Sequence, residues 1–523
     1  MTWKLAFMLI VIIGGVLTGL APLFLFTDFR ADLGIGTMLL GLFFGILILL
    51  SAGVPIGFAS GVLGAVVIWL NFGLPGLGLV MIRVSDLTST ASLVAIPFFI
   101  LMASLLERSG IAQDIFDALS HLLRRARGGV AVATAFLAVI LASMSGIIGG
   151  EIVLLGLVAL PQLLRLGYDK HLAIGTICAG GSLGAIIPPS IVIIIYGLIA
   201  DTSIIKLFTA LIVPGFMLAG SYVAYIIIRT QLNTTLAPLP ANLAEDGSEI
   251  DKELWGDLLI LLSPFAMGAV GVAVANKLGA GAVEQTAAFV FSSTFAMLGI
   301  IALLRTRQTN PVARGLLPLL LVIDLVLGSI YGGVATISEA AAMGVVASLI
   351  VIFLRRELEV VTIMGALEQM FRSVGAILWV TFGATVLAGA FTLSGGAQYV
   401  STSILDLNAP PTIVILLMLL VFFILGLFID WIGIILMTMP VFLPIVLQLG
   451  YDPIWFGVLF CVSMQIAFLT PPFGSAAFYL KSVAPPDIDL VTIYRSFGPF
   501  ILLQIAILTV LVAFPEISLF LVR

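Results

Sequence analysis

The chain has 523 residues, of which 61% are hydrophobic and 9% charged, with a formal net charge of −5. Soluble domains carry about 25% charged residues, and a soluble fold this apolar would expose large greasy patches and aggregate. These figures exclude a soluble enzyme, a nucleic-acid binder and a disordered scaffold, and they make lipid the natural solvent. Two cysteines leave no disulfide framework, and two histidines, His121 and His171, argue against His-rich metal chemistry.

A membrane helix needs roughly 20 apolar residues. In chain order the first apolar run, Leu5 to Phe26, is predicted to be a retained N-terminal span, because it lacks a small-residue cleavage site. Further spans are predicted near residues 37–51, 54–72, 93–107, 171–200, 207–228, 256–276, 284–304, 315–331, 334–354, 374–392, 454–482 and 492–515. The stretches 108–127 and 355–373 are half-polar, with helical periodicity in the first, and are expected along the membrane surface. Residues 229–255 form a polar cytoplasmic linker. The runs at 129–165 and 412–449 are too long for one span and too short for two with a loop.

Charge decides what those two runs are. Lys- and Arg-rich flanks face the cytoplasm. The first run lies between Arg124, Arg125 and Arg127 and the pair Arg165 and Lys170. The second lies in a stretch without Lys or Arg from Arg372 to Lys481. Both are therefore read as re-entrant hairpins, entering from opposite faces, whose non-helical tips must be buried in protein or line a cavity. With the N-terminus inside, only Arg30, Arg83, Lys206, Lys277 and Arg523 of the 22 basic residues fall outside.

Two strings recur at one constant offset. Leu166-Gly167-Tyr168-Asp169 returns as Leu449-Gly450-Tyr451-Asp452, and Pro188-Pro189 as Pro471-Pro472. Pro161, Cys178 and Tyr196 find Pro444, Cys461 and Tyr479 in the same register. The chain thus divides into an extra N-terminal span (1–36), a first repeat (37–228), a linker with two inserted spans (229–314) and a second repeat (315–523). An odd number of spans per repeat makes the second inverted relative to the first. Inverted repeats with broken helices are characteristic of secondary transporters. The fold class read from this is an all-α polytopic membrane protein, with a hairpin and a Pro-Pro-broken helix in each repeat.

Each double proline removes a backbone donor and breaks its helix. The carbonyls this frees suit sodium, and half-helix N-termini suit an anion; the plainer alternative is a kink filled by neighbouring helices. The small residues Ser143-Met144-Ser145-Gly146 allow the first hairpin tip to turn, and offer oxygens to a hard cation or small surfaces for helix packing. Asp430, between long apolar flanks in the second hairpin, is expensive there unless paired or bound to an ion. Glu151, Asp324 and Glu339 are the other acids in apolar surroundings; Glu339 suits a helix cap, and Asp324 a partner helix. No Walker-type loop and no His-Glu-x-x-His string occurs, so the chain is read as a non-enzyme.

These residues together resemble the large membrane subunit (DctM-like) of tripartite ATP-independent periplasmic (TRAP) transporters. The resemblance is carried by Gly53-Val54-Pro55, Ala95-Ile96-Pro97-Phe98-Phe99-Ile100-Leu101, Ser143-Met144-Ser145-Gly146, and Gly181-Ser182-Leu183-Gly184 running into Pro188-Pro189-Ser190. Ile330-Tyr331-Gly332-Gly333 with Glu339-Ala340-Ala341-Ala342, and Thr470-Pro471-Pro472-Phe473-Gly474, continue it. It implies a multi-pass bacterial inner-membrane permease that works with a small membrane subunit and a periplasmic substrate-binding protein. Such a permease imports carboxylate-bearing small molecules by sodium symport and an elevator motion, with Na+ as the coupling ion and no other cofactor. It also implies sodium sites at Ser143, Ser145, Gly146, Ser182 and Pro188, and at Asp430, Thr470, Pro471 and Gly474. Ser190 and Ser475, beside the breaks, are candidates for binding solute. The family's Thr-Pro-Thr-Glu string departs here to Thr336-Ile337-Ser338-Glu339, which weakens any role for that turn. Two other readings stay open: a stand-alone sodium-coupled dicarboxylate symporter or ion antiporter of the wider ion-transporter group, and a non-transporting membrane scaffold.

Overall fold

The structure, a computed structural model, describes residues 35–123, 126–145, 149–238, 249–279, 281–304, 311–405, 409–427, 429–472 and 474–522. The predicted first span (5–26) and Gly146 lie outside these residues. All regular elements among the described residues are helical, and nine of those helices are long and apolar enough to cross a membrane.

The first repeat comprises α1 (Ile35–Ser51), α2 (Ile56–Gly76), α3 (Gly78–Thr88), α4 (Ala95–Arg108), α5 (Ile111–Leu123), the hairpin arms α6 (Gly129–Ser145) and α7 (Gly150–Arg165), the broken pair α8 (Lys170–Ser182) and α9 (Ile191–Ile199), and α10 (Ile204–Leu232). The inserted helices are α11 (Glu249–Lys277) and α12 (Ala282–Leu304). The second repeat follows in the same order: α13 (Pro311–Tyr331), α14 (Ile337–Leu354), α15 (Val360–Leu393), α16 (Gly396–Leu405), hairpin arms α17 (Pro411–Gly426) and α18 (Trp431–Gln448), the broken pair α19 (Pro453–Leu469) and α20 (Ser475–Lys481), α21 (Leu490–Ala513), then a short α22 (Pro515–Leu519).

Three details differ from the sequence expectation. Residues 355–373 are not a separate surface helix: from Val360 they run on into one 34-residue helix, α15. Past the left-handed Arg356 (φ 61°), no proline or positive-φ residue lies between Val360 and Leu393, so nothing ends the helix there. The short helices α3 and α16 were not anticipated, because their length is below that of a span.

The recurring Leu-Gly-Tyr-Asp string is turn chemistry. Gly167 (φ 76°) and Gly450 (φ 78°) take the left-handed conformation that glycine adopts without penalty. Tyr168 N then donates to Leu163 O at 3.0 Å, and Tyr451 N to Val446 O at 3.0 Å, which closes the second arm of each hairpin. Asp169 accepts from Leu172 N at 2.9 Å and Asp452 from Ile454 N at 2.7 Å, opening each broken helix with an N-cap.

The described chain forms two compact units. The first contains α1–α3, residues 375–418 and residues 429–451. Its spine is a close parallel crossing of α2 on α15. A methyl group at Gly57 would lie 2.7 Å from Trp379 O, one at Gly61 3.3 Å from Gly383 Cα, and one at Gly64 2.7 Å from Leu387 N. Two helix turns further on, Asn71 Nδ2 donates to Ser394 Oγ at 3.2 Å. Lipid offers no hydrophobic drive to pair helices, so such small-residue contacts supply the dispersion energy instead. Leu42, Ile46, Val67, Ile68, Val386, Leu387 and Ala390 are buried around this crossing.

The second unit contains residues 91–374, 419–428 and 452–523. The amphipathic α5 is tied to the end of α14 by Arg355, whose guanidinium pairs with Asp114 and with Glu357 (2.8 Å) while its side chain is only 7% exposed. Burial works against the charged guanidinium, but the hydrogen bonds to Glu357 and Asp114 outweigh it and raise its pKa. The insertion packs through α12 on α13, where Asp324 accepts from Ser293 Oγ at 2.5 Å. Glu339 and Thr336 form a reciprocal capping box on α14, which gives this acid a structural task.

Candidate functional site

The first hairpin closes around the first broken helix within the second unit. A methyl group at Gly180 of α8 would lie 2.6 Å from Ala138 Cβ on arm α6, and one at Gly181 3.3 Å from Ile152 N on arm α7. Gly184, in the 3-10 turn Leu183–Ala185, leaves only 2.7 Å between such a methyl and Glu151 Oε1. Both arms therefore rest on Gly180–Gly184, and Glu151, fully buried, packs where α8 ends. The tip also reaches the second broken helix. Gly149 (φ 118°) lies against the ring of Tyr479, which a methyl there would meet at 2.7 Å.

The predicted ligands of this region share one feature. Ser143 Oγ donates to Ile140 O (2.7 Å), Ser182 Oγ to Ala179 O (2.7 Å), Ser190 Oγ to Ala185 O (2.9 Å) and Thr470 Oγ1 to Ile466 O (2.6 Å). A hydroxyl whose proton is committed to a carbonyl presents its oxygen lone pairs, the state a hard cation requires. Ser182, Pro188 and Ser190 are buried, Ser143 is 8% exposed, and the Pro188–Pro189 and Pro471–Pro472 bonds are cis. Ser145 closes arm α6, whereas Gly146 lies outside the described residues. In the second break Thr470 is half-buried, Pro471 is exposed, and Gly474 N donates to Thr470 O at 3.0 Å, so the chain turns tightly into α20 at Ser475.

Asp430 belongs to the first unit and the second break to the other. Within its unit Asp430 is exposed and caps α18, accepting from Ile432 N at 3.3 Å. The apolar flanks had suggested a buried carboxylate; the helix start at Trp431 explains the residue locally.

Two polar groups escaped the sequence reading. Gln504 on α21, fully buried, donates Nε2 to Tyr222 Oη at 2.8 Å and to Ser182 Oγ at 3.5 Å, linking α21 and α10 to the end of α8. Gln465 on α19 is also fully buried. Its only sequence signal is an amide in an apolar span at the register of Ser182. At the edge of the unit Lys170, opening α8, pairs with Asp487 at 2.7 Å and holds that carboxyl below its usual range.

A family model described as the DctM component of tripartite ATP-independent periplasmic transporters matches residues 43–517. The chain belongs to this family. It is a TRAP large permease subunit, a multi-pass protein of the inner membrane. The C4-dicarboxylate TRAP transporter large permease protein DctM of Pseudomonas aeruginosa is 26% identical, over 84% of this chain and 88% of its own length. The ectoine TRAP large permease TeaC of Halomonas elongata is 27% identical over 93% and 96%. The 2,3-diketo-L-gulonate TRAP large permease YiaN of Escherichia coli is 25% identical over 90% and 95%. Among solved structures, the YdaH transporter of Alcanivorax borkumensis matches with a TM-score of 0.54 at 17% identity, covering 90% of this chain and 97% of that one, a likeness of fold.

Proposed function

We propose that this permease imports carboxylate-bearing solutes coupled to sodium, together with a small membrane subunit and a periplasmic substrate-binding protein, by an elevator motion. The observation that carries this reading is the closure of the first hairpin on the Gly180–Gly184 end of α8, beside hydroxyls whose protons are committed to backbone carbonyls. In this reading Ser143, Ser145, Gly146, Ser182 and Pro188 hold one sodium ion. Thr470, Pro471 and Gly474 contribute the oxygens of the second break, Asp430 supplies a carboxylate for an ion, and Ser190 and Ser475 face the solute. A hard cation at such oxygens offsets the solute's negative charge. The relatives' named substrates, among them C4-dicarboxylate and 2,3-diketo-L-gulonate, support the carboxylate class.

The test is the sodium dependence of succinate uptake by the reconstituted three-component system. Losing one oxygen ligand worth about 1.4 kcal/mol raises the half-saturating sodium concentration about tenfold. Ser182→Ala is expected to show that shift, and Asp430→Asn to lower sodium-driven uptake while the protein still folds. Wild-type sodium curves in both variants would remove these residues from the ion sites.

A further inference from the structure

Gln465 is fully buried, and neither its Nε2 nor its Oε1 has a hydrogen-bond partner. Gln504, the comparable amide, spends its nitrogen on Tyr222 and Ser182. A primary amide carries two donors and a doubly accepting oxygen, and burying it unpaired is costly. α19 is buried along nearly its whole length, so the amide has no lipid or surface to turn to. A leucine of similar volume would avoid it, and locally unfavourable choices of this kind concentrate at functional sites.

Position supports the same conclusion independently. The offset that superposes Pro188-Pro189 on Pro471-Pro472 superposes Ser182 on Gln465. Both lie in the last turn and a half of their half-helix, before the break. The two half-helices also meet: α19 packs on α8 and on the 3-10 turn that follows Ser182. Nothing basic lies in α19, and in α8 only Lys170 and His171, both at its opposite end. At these two half-helix ends, N–H donors to an anionic solute come from neutral groups, beside the charge a bound cation supplies.

We propose that Gln465 is a solute-binding residue whose Nε2 donates to the carboxylate of the transported molecule. This rests on the carboxylate-import reading above. Hydrogen bonds to a charged group are the stronger ones, and loss of this one is expected to raise the KM for succinate at least tenfold.

The experiment uses the permease with its small subunit and binding protein in proteoliposomes, with succinate as the probe. Gln465→Leu is expected to raise KM tenfold or more, to leave the half-saturating sodium concentration unchanged, and to unfold in detergent without solute at the same or a higher temperature than wild type. Gln465→Glu, which keeps the size and an acceptor but loses the donors, is expected to raise KM as much. A drop of several degrees in the melting temperature of Gln465→Leu would show that the amide has a structural partner and overturn the proposal. Wild-type KM in either variant would do the same. Absence of sodium-driven uptake by the wild type, with succinate and with every other carboxylate its binding protein binds, would instead overturn the import reading, and the proposal with it.

Discussion

The α2–α15 crossing makes a sharp prediction about Gly64. A methyl group there would lie 2.7 Å from Leu387 N, 2.8 Å from Leu387 Cα and 2.9 Å from Val386 C. Carbon atoms in good contact sit about 3.5–4.0 Å apart, so the helices must part by about 0.8 Å. Every atom in the way is backbone and cannot swing aside. Overpacking costs about 1–3 kcal/mol; with no flexible group to yield, about 3 kcal/mol is expected here. Alanine's better helix propensity returns about 1 kcal/mol. Gly64→Ala should therefore lose about 2 kcal/mol net. Gly375, at the start of the same stretch of α15, has nothing within 4 Å of a methyl group. Gly375→Ala should gain about 0.5–1 kcal/mol. Equilibrium unfolding of both variants in detergent, followed by tryptophan fluorescence, measures the difference. Equal stability of the two variants would refute the parallel close crossing.

Other outcomes follow from the polar ties of the second unit. Arg355→Ala removes the buried guanidinium that joins Asp114 to Glu357 and should cost about 3 kcal/mol, with Asp114→Asn costing less because Glu357 remains; an unchanged melting temperature for Arg355→Ala would contradict the tie. Lys170 lowers the folded pKa of Asp487, so the pair's stabilisation is complete above the unfolded value of about 3.9 and fades as pH falls through the lowered value. The melting-temperature gap between wild type and Asp487→Asn should accordingly narrow below about pH 4. A gap that widens on acidification would show the sign to be wrong.

Hydropathy made most spans legible, because a lipid solvent forces apolar length. The double prolines located the breaks for a covalent reason that context does not override. Capping was harder to see. Asp430 stood out by its neighbours' hydropathy, but hydropathy gives no sign that it also caps α18. The Leu-Gly-Tyr-Asp strings recur at one offset, and their chemistry in the structure is a left-handed glycine followed by an Asp cap, which concerns the turn alone. The α2–α15 crossing was written in Gly57, Gly61 and Gly64, a small-residue pattern, but its partner on α15 lies more than 300 residues away in sequence, beyond the reach of local periodicity. Gln465 was invisible because one amide barely alters the hydropathy of a 17-residue apolar helix.

The central claim is sodium-driven, partner-dependent import, and one reconstitution tests it most directly. Proteoliposomes holding this chain with its small subunit are supplied with the binding protein and a labelled carboxylate that it binds, under an inward sodium gradient or a matched potassium gradient. The account predicts accumulation only when sodium, both membrane subunits and the binding protein are all present. Equal accumulation under potassium, or by this chain alone, would contradict it.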